Sequence, residues 1–187
     1  MSETLVLLQI EHRNFVRVLD VLDDLADAFE RGEDTDVELL QQVMAYFLGY
    51  PDACHHPKED LVFRRLRAVA PAVADRIYDV VDDHEGLAAR TLEAARRARA
   101  ATGAADPALA DVLREFSATY REHLRLEEEL FFPTARERLG RDDWDAIDFG
   151  LFDGQDPLFD PLAEDRYRRL RHVILAKRPP RSMQGEV

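Results

Sequence analysis

Apolar residues recur every three or four positions through the first 31 residues. Leu5, Leu8, Phe15, Leu19, Leu22, Leu25 and Phe29 line one face of a helix predicted over residues 4–31, and Gly32 ends it. Asp34, Thr35 and Asp36 supply N-cap residues for a second helix that runs through Val37, Leu40, Val43 and Phe47 to Leu66. Pro51 and Pro57 interrupt it and should bend or break it, because each lacks a backbone donor. Pro71 suits the first turn of a third helix reaching about Ala101, with Val73, Ile77, Val80, Val81, Leu87 and Leu92 as its apolar positions and Gly103 beyond it. Asp106-Pro107 opens a fourth, which runs to Leu139 and Gly140 with a kink expected at Pro133.

Four long helices with short connections predict an all-α fold, an up-down-up-down four-helix bundle over residues 1–140. Residues 141–187 read as a C-terminal helical extension. Asp142 is the expected cap of a short helix (DDWDAIDFGLF), GQDPLFDPL a loop, AEDRYRRLRHVIL a final helix, and the remainder a polar, frayed tail. The apolar residues of this extension suit docking on the bundle or on a second subunit, so a homodimer is one expectation.

Composition narrows the function. The chain has 187 residues, 46% apolar and 34% charged, with a net charge of −13. A nucleic-acid binder needs a basic face to displace counterions, and an anionic membrane surface makes the same demand, so both partners are excluded as expectations. No apolar run approaches the ~20 residues of a membrane span. The N-terminus lacks the pattern of a signal peptide and Cys54 is the single cysteine, which together predict a cytoplasmic protein. Cys54 reads as a packing residue. Lys58 and Lys177 are the only lysines, taken as coding bias.

Against this background one chemical pattern stands out. His-x-x-x-Glu occurs twice, as His55 to Glu59 and His123 to Glu127, with His12 and His84 upstream of the respective copies. A spacing of four puts both side chains of a pair on one helical face, where imidazole and carboxylate can hold one metal ion. A lone pair of this kind is usually a solvated contact. Counting residues from each turn, however, brings His12, His55 with Glu59, His84 and His123 to about the same level of the bundle, within a few ångströms at ~1.5 Å per residue. The faces agree: His12 lies between Leu8 and Phe15, His84 follows Ile77 and Val80, and His123 lies seven residues from both Phe116 and Leu130. Buried imidazoles and carboxylates need partners, and a pair of metal ions would satisfy all six. His56 and Asp60 form a competing pair in the next register. His55 and Glu59 are preferred because the second pair also reads His then Glu, leaving His56 and Asp60 as outer hydrogen-bonding or surface groups. His172 reads as a surface residue, Tyr46, Tyr50 and Tyr120 as core aromatics within reach of the site, and Glu128 and Glu129 as solvated.

These residues resemble the hemerythrin-like, HHE cation-binding family over roughly residues 4 to 139. HHPKEDLVF and HLRLEEELFFP each give a histidine, a glutamate four later and a following aromatic, and EHRNF and DHEGL match the other two ligand-bearing helices. The resemblance implies a non-haem centre of two iron ions, with His12, His55, His84 and His123 as terminal ligands and Glu59 and Glu127 as bridges; zinc and manganese are alternative metals. Oxygen-carrying hemerythrins have a further histidine four residues after the third-helix one. Here that position is Ala88, which argues against reversible oxygen carriage. The leading expectation is a protein that binds or reacts with oxygen, nitric oxide or peroxide in sensing or stress response. Iron storage or donation for iron–sulfur repair, and a non-catalytic interaction module with structural metals, are the other two. Whether the protein is an enzyme does not follow from these residues.

Overall fold

The computed structural model describes residues 2–81, 84–151, 156–158 and 167–177. The first leg of the bundle is α1 (Glu3–Arg31). The second is α2 (Val37–Tyr50), a π-helical turn (Pro51–His55) and α3 (His56–Val69). The third comprises α4 (Pro71–Val81) and α5 (His84–Ala100). The fourth is α6 (Pro107–Leu126), a second π turn (Glu127–Phe131) and α7 (Phe132–Arg138). α1 packs on α6, α2 on α5, α3 on α4 and α5 on α6, giving the expected four-helix bundle. Among the described residues two further helices, α8 (Arg141–Phe149) and α9 (Arg168–Ala176), follow it.

Local chemistry sets most boundaries. Asp36 and Asp106 accept from the backbone N–H groups of Leu39 and Leu109, closing orphan donors at the starts of α2 and α6. Gly32 stops α1 at φ 67°, a left-handed conformation that costs a β-carbon-free residue little. The start of α8 differs from expectation: Gly140 stands at the N-cap, and it is Asp143, not Asp142, whose carboxylate accepts the Gly140 N–H at 2.8 Å.

The prolines behave differently from the predicted breaks. Both π turns end one residue before the position preceding a proline, at His55 ahead of His56-Pro57 and at Phe131 ahead of Phe132-Pro133. A proline ring inside a helix clashes with the carbonyl four residues back. Widening the preceding turn by one residue moves that carbonyl away, and the helical path continues. The His56 N–H accordingly bonds the Pro51 carbonyl, and the Phe132 N–H bonds that of Glu127.

Among the described residues the apolar interior falls into two parts. The larger includes Phe15, Leu19, Phe47, Tyr50, Leu113, Phe116, Tyr120 and Leu124. The smaller includes Leu5, Leu8, Val62, Leu66, Phe131, Phe132 and Ala135. On every leg that spans both, the residues between them in sequence are the histidines and glutamates: His12 between Leu8 and Phe15, His55 and Glu59 between Tyr50 and Val62, Glu127 between Leu124 and Phe131. A polar layer therefore crosses the bundle between two hydrophobic blocks. On α5 the predicted stripe is out of phase, since Leu92 is 63% exposed while Thr91, Ala94 and Ala98 are buried. The side chains of Val80 and Val81, and most of the predicted loop and tail of the extension, lie outside the described residues.

Candidate metal centre

His12, His55, Glu59, His123 and Glu127 are all buried, and His84 is partly so. They meet in the polar layer as two adjoining clusters. The first is His12, His55, Glu59 and Glu127, whose ligand-type atoms lie within 4.8 Å of one another. The second, by the same measure, is His56, Glu59, His84 and His123. Asp60, the other member of the competing pair, is exposed.

The carboxylates connect the two clusters. Glu59 Oε1 is 3.2 Å from His55 Nε2 and 3.7 Å from His12 Nε2, while its Oε2 is 3.7 Å from His84 Nε2. Glu127 Oε2 is 3.5 Å from His12 Nε2, and its Oε1 is 3.2 Å from His123 Nε2 and 3.9 Å from His84 Nε2. Each glutamate thus offers one oxygen to each cluster, the arrangement a bridging carboxylate requires.

Hydrogen bonds outside the layer fix the imidazoles. His55 Nδ1 donates to Glu11 Oε2 at 2.8 Å, which leaves Nε2 facing the layer. Glu11 Oε1 accepts from the Tyr50 hydroxyl at 2.8 Å and from Lys58 Nζ at 2.5 Å. Burial raises the Glu11 carboxyl, but the bonds and charges of His55 and Lys58 bring it below the usual carboxylate range. Lys58, only 2% exposed, is therefore a buried counter-charge, and Lys177 bonds the Asp20 carbonyl, so both lysines have specific partners. On the other side Glu128 Oε1 lies 3.2 Å from His12 Nδ1 and its Oε2 accepts from Gln9. Glu128, expected to be solvated, is drawn inward by these contacts.

The electrostatics follow from burial. Burial alone raises Glu59, yet the neighbouring His55 and His12 draw it well below the usual range. Burial and the adjacent Glu59 charge push Glu127 well above it. Burial disfavours charge on His55, but Glu59 and Glu11 outweigh this and push it up to about 9. Burial and neighbouring imidazoles bring His123 down to about 3. Both Glu59 oxygens, Glu127 Oε2, His56 Nε2 and His123 Nε2 are buried without an aligned hydrogen-bond partner among the described residues. Such atoms are costly unless compensated, and cations placed between the clusters would compensate them. The mix of imidazole and carboxylate donors suits iron, zinc or manganese.

The sequence pattern reads His56 as an outer hydrogen-bonding or surface group, and the structure places it in the layer itself. Its ring stacks on His84, with centroids 4.1 Å apart and planes 19° apart, and its Nδ1 donates to Asp52 at 2.9 Å. The spacing Asp52-x-x-x-His56 was visible in the sequence, but nothing there showed which face it would take. Glu11 and Lys58 carried no such signal. Tyr46 and Tyr120 are core residues as expected, Cys54 is partly buried against the core, and His172 is exposed. A cavity of about 40 Å³ beside the second cluster is lined by Asp52, His56, His84, Ala88 and Tyr120, among others.

A bundle crossed by two adjoining histidine–glutamate clusters, linked through two carboxylates, defines a metal-binding protein with a centre consistent with di-iron. The chain belongs to the hemerythrin family: the family described as Hemerythrin HHE cation binding domain matches residues 4–135. Comparison with curated proteins and with solved structures gave no significant match.

Proposed function

We propose that the protein is a non-haem di-iron protein that binds or reacts with oxygen, nitric oxide or peroxide. In this reading His12 and His55 would hold one ion, His84 and His123 the other, and Glu59 and Glu127 would serve both. The observation that carries it is the one-oxygen-to-each-side placement of Glu59 and Glu127 within a buried layer. Two ions so held would supply open coordination positions and redox chemistry to a small ligand.

The chain's own residues do the remaining work. Glu11 holds the His55 ring with Nε2 inward. Phe15 meets that ring edge-on at 4.8 Å, and Phe132 lies 5.1 Å from the His12 ring, so apolar side chains exclude water from this end. The cavity at Ala88, about 40 Å³, favours a ligand of a few atoms, since one water alone needs ~10–15 Å³.

The test is metal analysis of protein loaded anaerobically with ferrous iron, then absorption spectra on adding oxygen, nitric oxide and peroxide in turn. Two irons per chain and a charge-transfer band with at least one ligand are expected. Fewer than two irons, or no spectral response to any of them, overturns the proposal. Rapid transfer of that iron to a chelator, with no such band, favours iron donation instead.

A further inference from the structure

We propose that His56 is a further metal-holding side chain, completing the ligand set around the second ion beside His84 and His123. This rests on the dinuclear reading above. Consecutive helical residues point about 100° apart, so His55 and His56 address different points of the layer. His55 Nε2 turns to His12, at 3.2 Å. His56 turns the other way, onto His84 at 4.1 Å and edge-on to His123 at 6.4 Å between ring centroids.

The hydrogen-bond pattern of His56 is that of a ligand. Its Nδ1 proton goes to Asp52 Oδ1, so the Nε2 lone pair is left free. That Nε2 is buried and meets no aligned partner, and His56 offers a ring nitrogen within 4.8 Å of ligand-type atoms of Glu59, His84 and His123. The same carboxylate–imidazole arrangement recurs at Glu11 and His55. A surface histidine has no need of a carboxylate behind it and a buried acceptor in front. Placing that acceptor against two other imidazoles is unfavourable unless a cation sits among them.

Ala88 completes the argument. It lies one helical turn beyond His84 and lines the same cavity as His56. α5 offers no second imidazole there, and the second leg of the bundle supplies one from the opposite wall. The second ion then has three imidazoles, His56, His84 and His123, and the first has two, so the ions are chemically distinct.

The test compares wild type, H56A, D52N and the double variant H56A/A88H as full-length protein loaded with ferrous iron. Iron per chain, its release to a chelator and the Mössbauer spectrum are measured, together with the melting of each metal-free form. Wild type should hold two inequivalent irons. H56A should release one of them at least about tenfold faster, D52N should fall between, and A88H should slow the release again. Metal-free H56A should melt as wild type does; should it fail to fold, D52N release kinetics decide. H56A with wild-type release and spectrum overturns this proposal and leaves the dinuclear reading standing. So does a loss that A88H does not rescue in a variant whose metal-free form is itself destabilised, since that is a packing effect. Wild type holding fewer than two irons overturns both.

Discussion

At the scale of single residues, the least expected device is the charge arrangement behind His55. Glu11 sits in the interior with three donors on two oxygens: His55, Tyr50 and Lys58. Breaking a buried charge pair by removing one partner typically costs about 3–5 kcal/mol, because the other is left uncompensated. E11Q strands the Lys58 ammonium and also presents an amide N–H to His55 Nδ1. That turns the imidazole to the tautomer whose Nε2 carries a proton. E11Q should therefore lose stability and bind metal about 10–100-fold more weakly. K58M leaves the His55 bond intact, so its loss should appear mainly in stability. In a double-mutant cycle read by chemical denaturation, E11Q/K58M should be less destabilised than the sum of the singles, by about 0.5–3 kcal/mol. Additive effects would mean that the pair is not coupled. None of this was legible beforehand. A glutamate beside a histidine on a helix is ordinary, and one lysine among many arginines looks like composition.

At the scale of helices, legibility tracks how regular each helix is. α1 has no π turn, and every apolar position expected from its 3.6-residue period is buried. The level of His12, His55, His84 and His123 was also countable, because a single widened turn displaces the axial count by only about one residue, ~1.5 Å. Phase does change. Counting seven from His123 points to Leu130 as a core residue, but the π turn at Glu127–Phe131 adds one residue, so Leu130 is 39% exposed and Phe131 is 3% exposed. The same shift at Pro51–His55 accompanies the inward placement of His56. Proline at 57 and 133 was the visible sign of both turns, but a proline says only that the helix must adjust, not whether it breaks, bends or widens. The phase assignment has a direct test in chemical denaturation. F131A should cost about 3–5 kcal/mol as a buried large-to-small change, and L130S should stay within about 0.5 kcal/mol. Equal effects would place the register where simple counting had put it.

At the scale of the whole molecule, the helices beyond the family match are joined to the bundle at several points. Tyr167, Leu170 and Ile174 belong to the larger apolar block, and Ile147 to the smaller. Asp156 accepts from Asn14 and Tyr46, one of them two residues from His12. Asp148, near the end of α8, closes the start of α1. Its Oδ1 accepts from the Ser2 and Thr4 hydroxyls at 2.8 and 2.7 Å and from the Thr4 N–H at 3.0 Å, and its Oδ2 accepts from the Glu3 N–H at 3.1 Å. Those N–H groups have no partner within α1, and the helix start carries partial positive charge. Burial raises the Asp148 carboxyl, but the bonds from Thr4, Ser2 and Glu3 together outweigh it and lower its pKa. A carboxyl lowered on folding adds stability that is present above its unfolded pKa, ~3.9, and is lost as pH falls through the folded value. In metal-free protein near pH 7, D148A should lose about 1 kcal/mol, the usual size of a lost helix cap. The gap to wild type should narrow below about pH 4 as the wild-type carboxylate takes up its proton. A gap unchanged from pH 7 down to pH 3 would show that the contribution of Asp148 lies in packing and not in its charge at the start of the helix that carries His12.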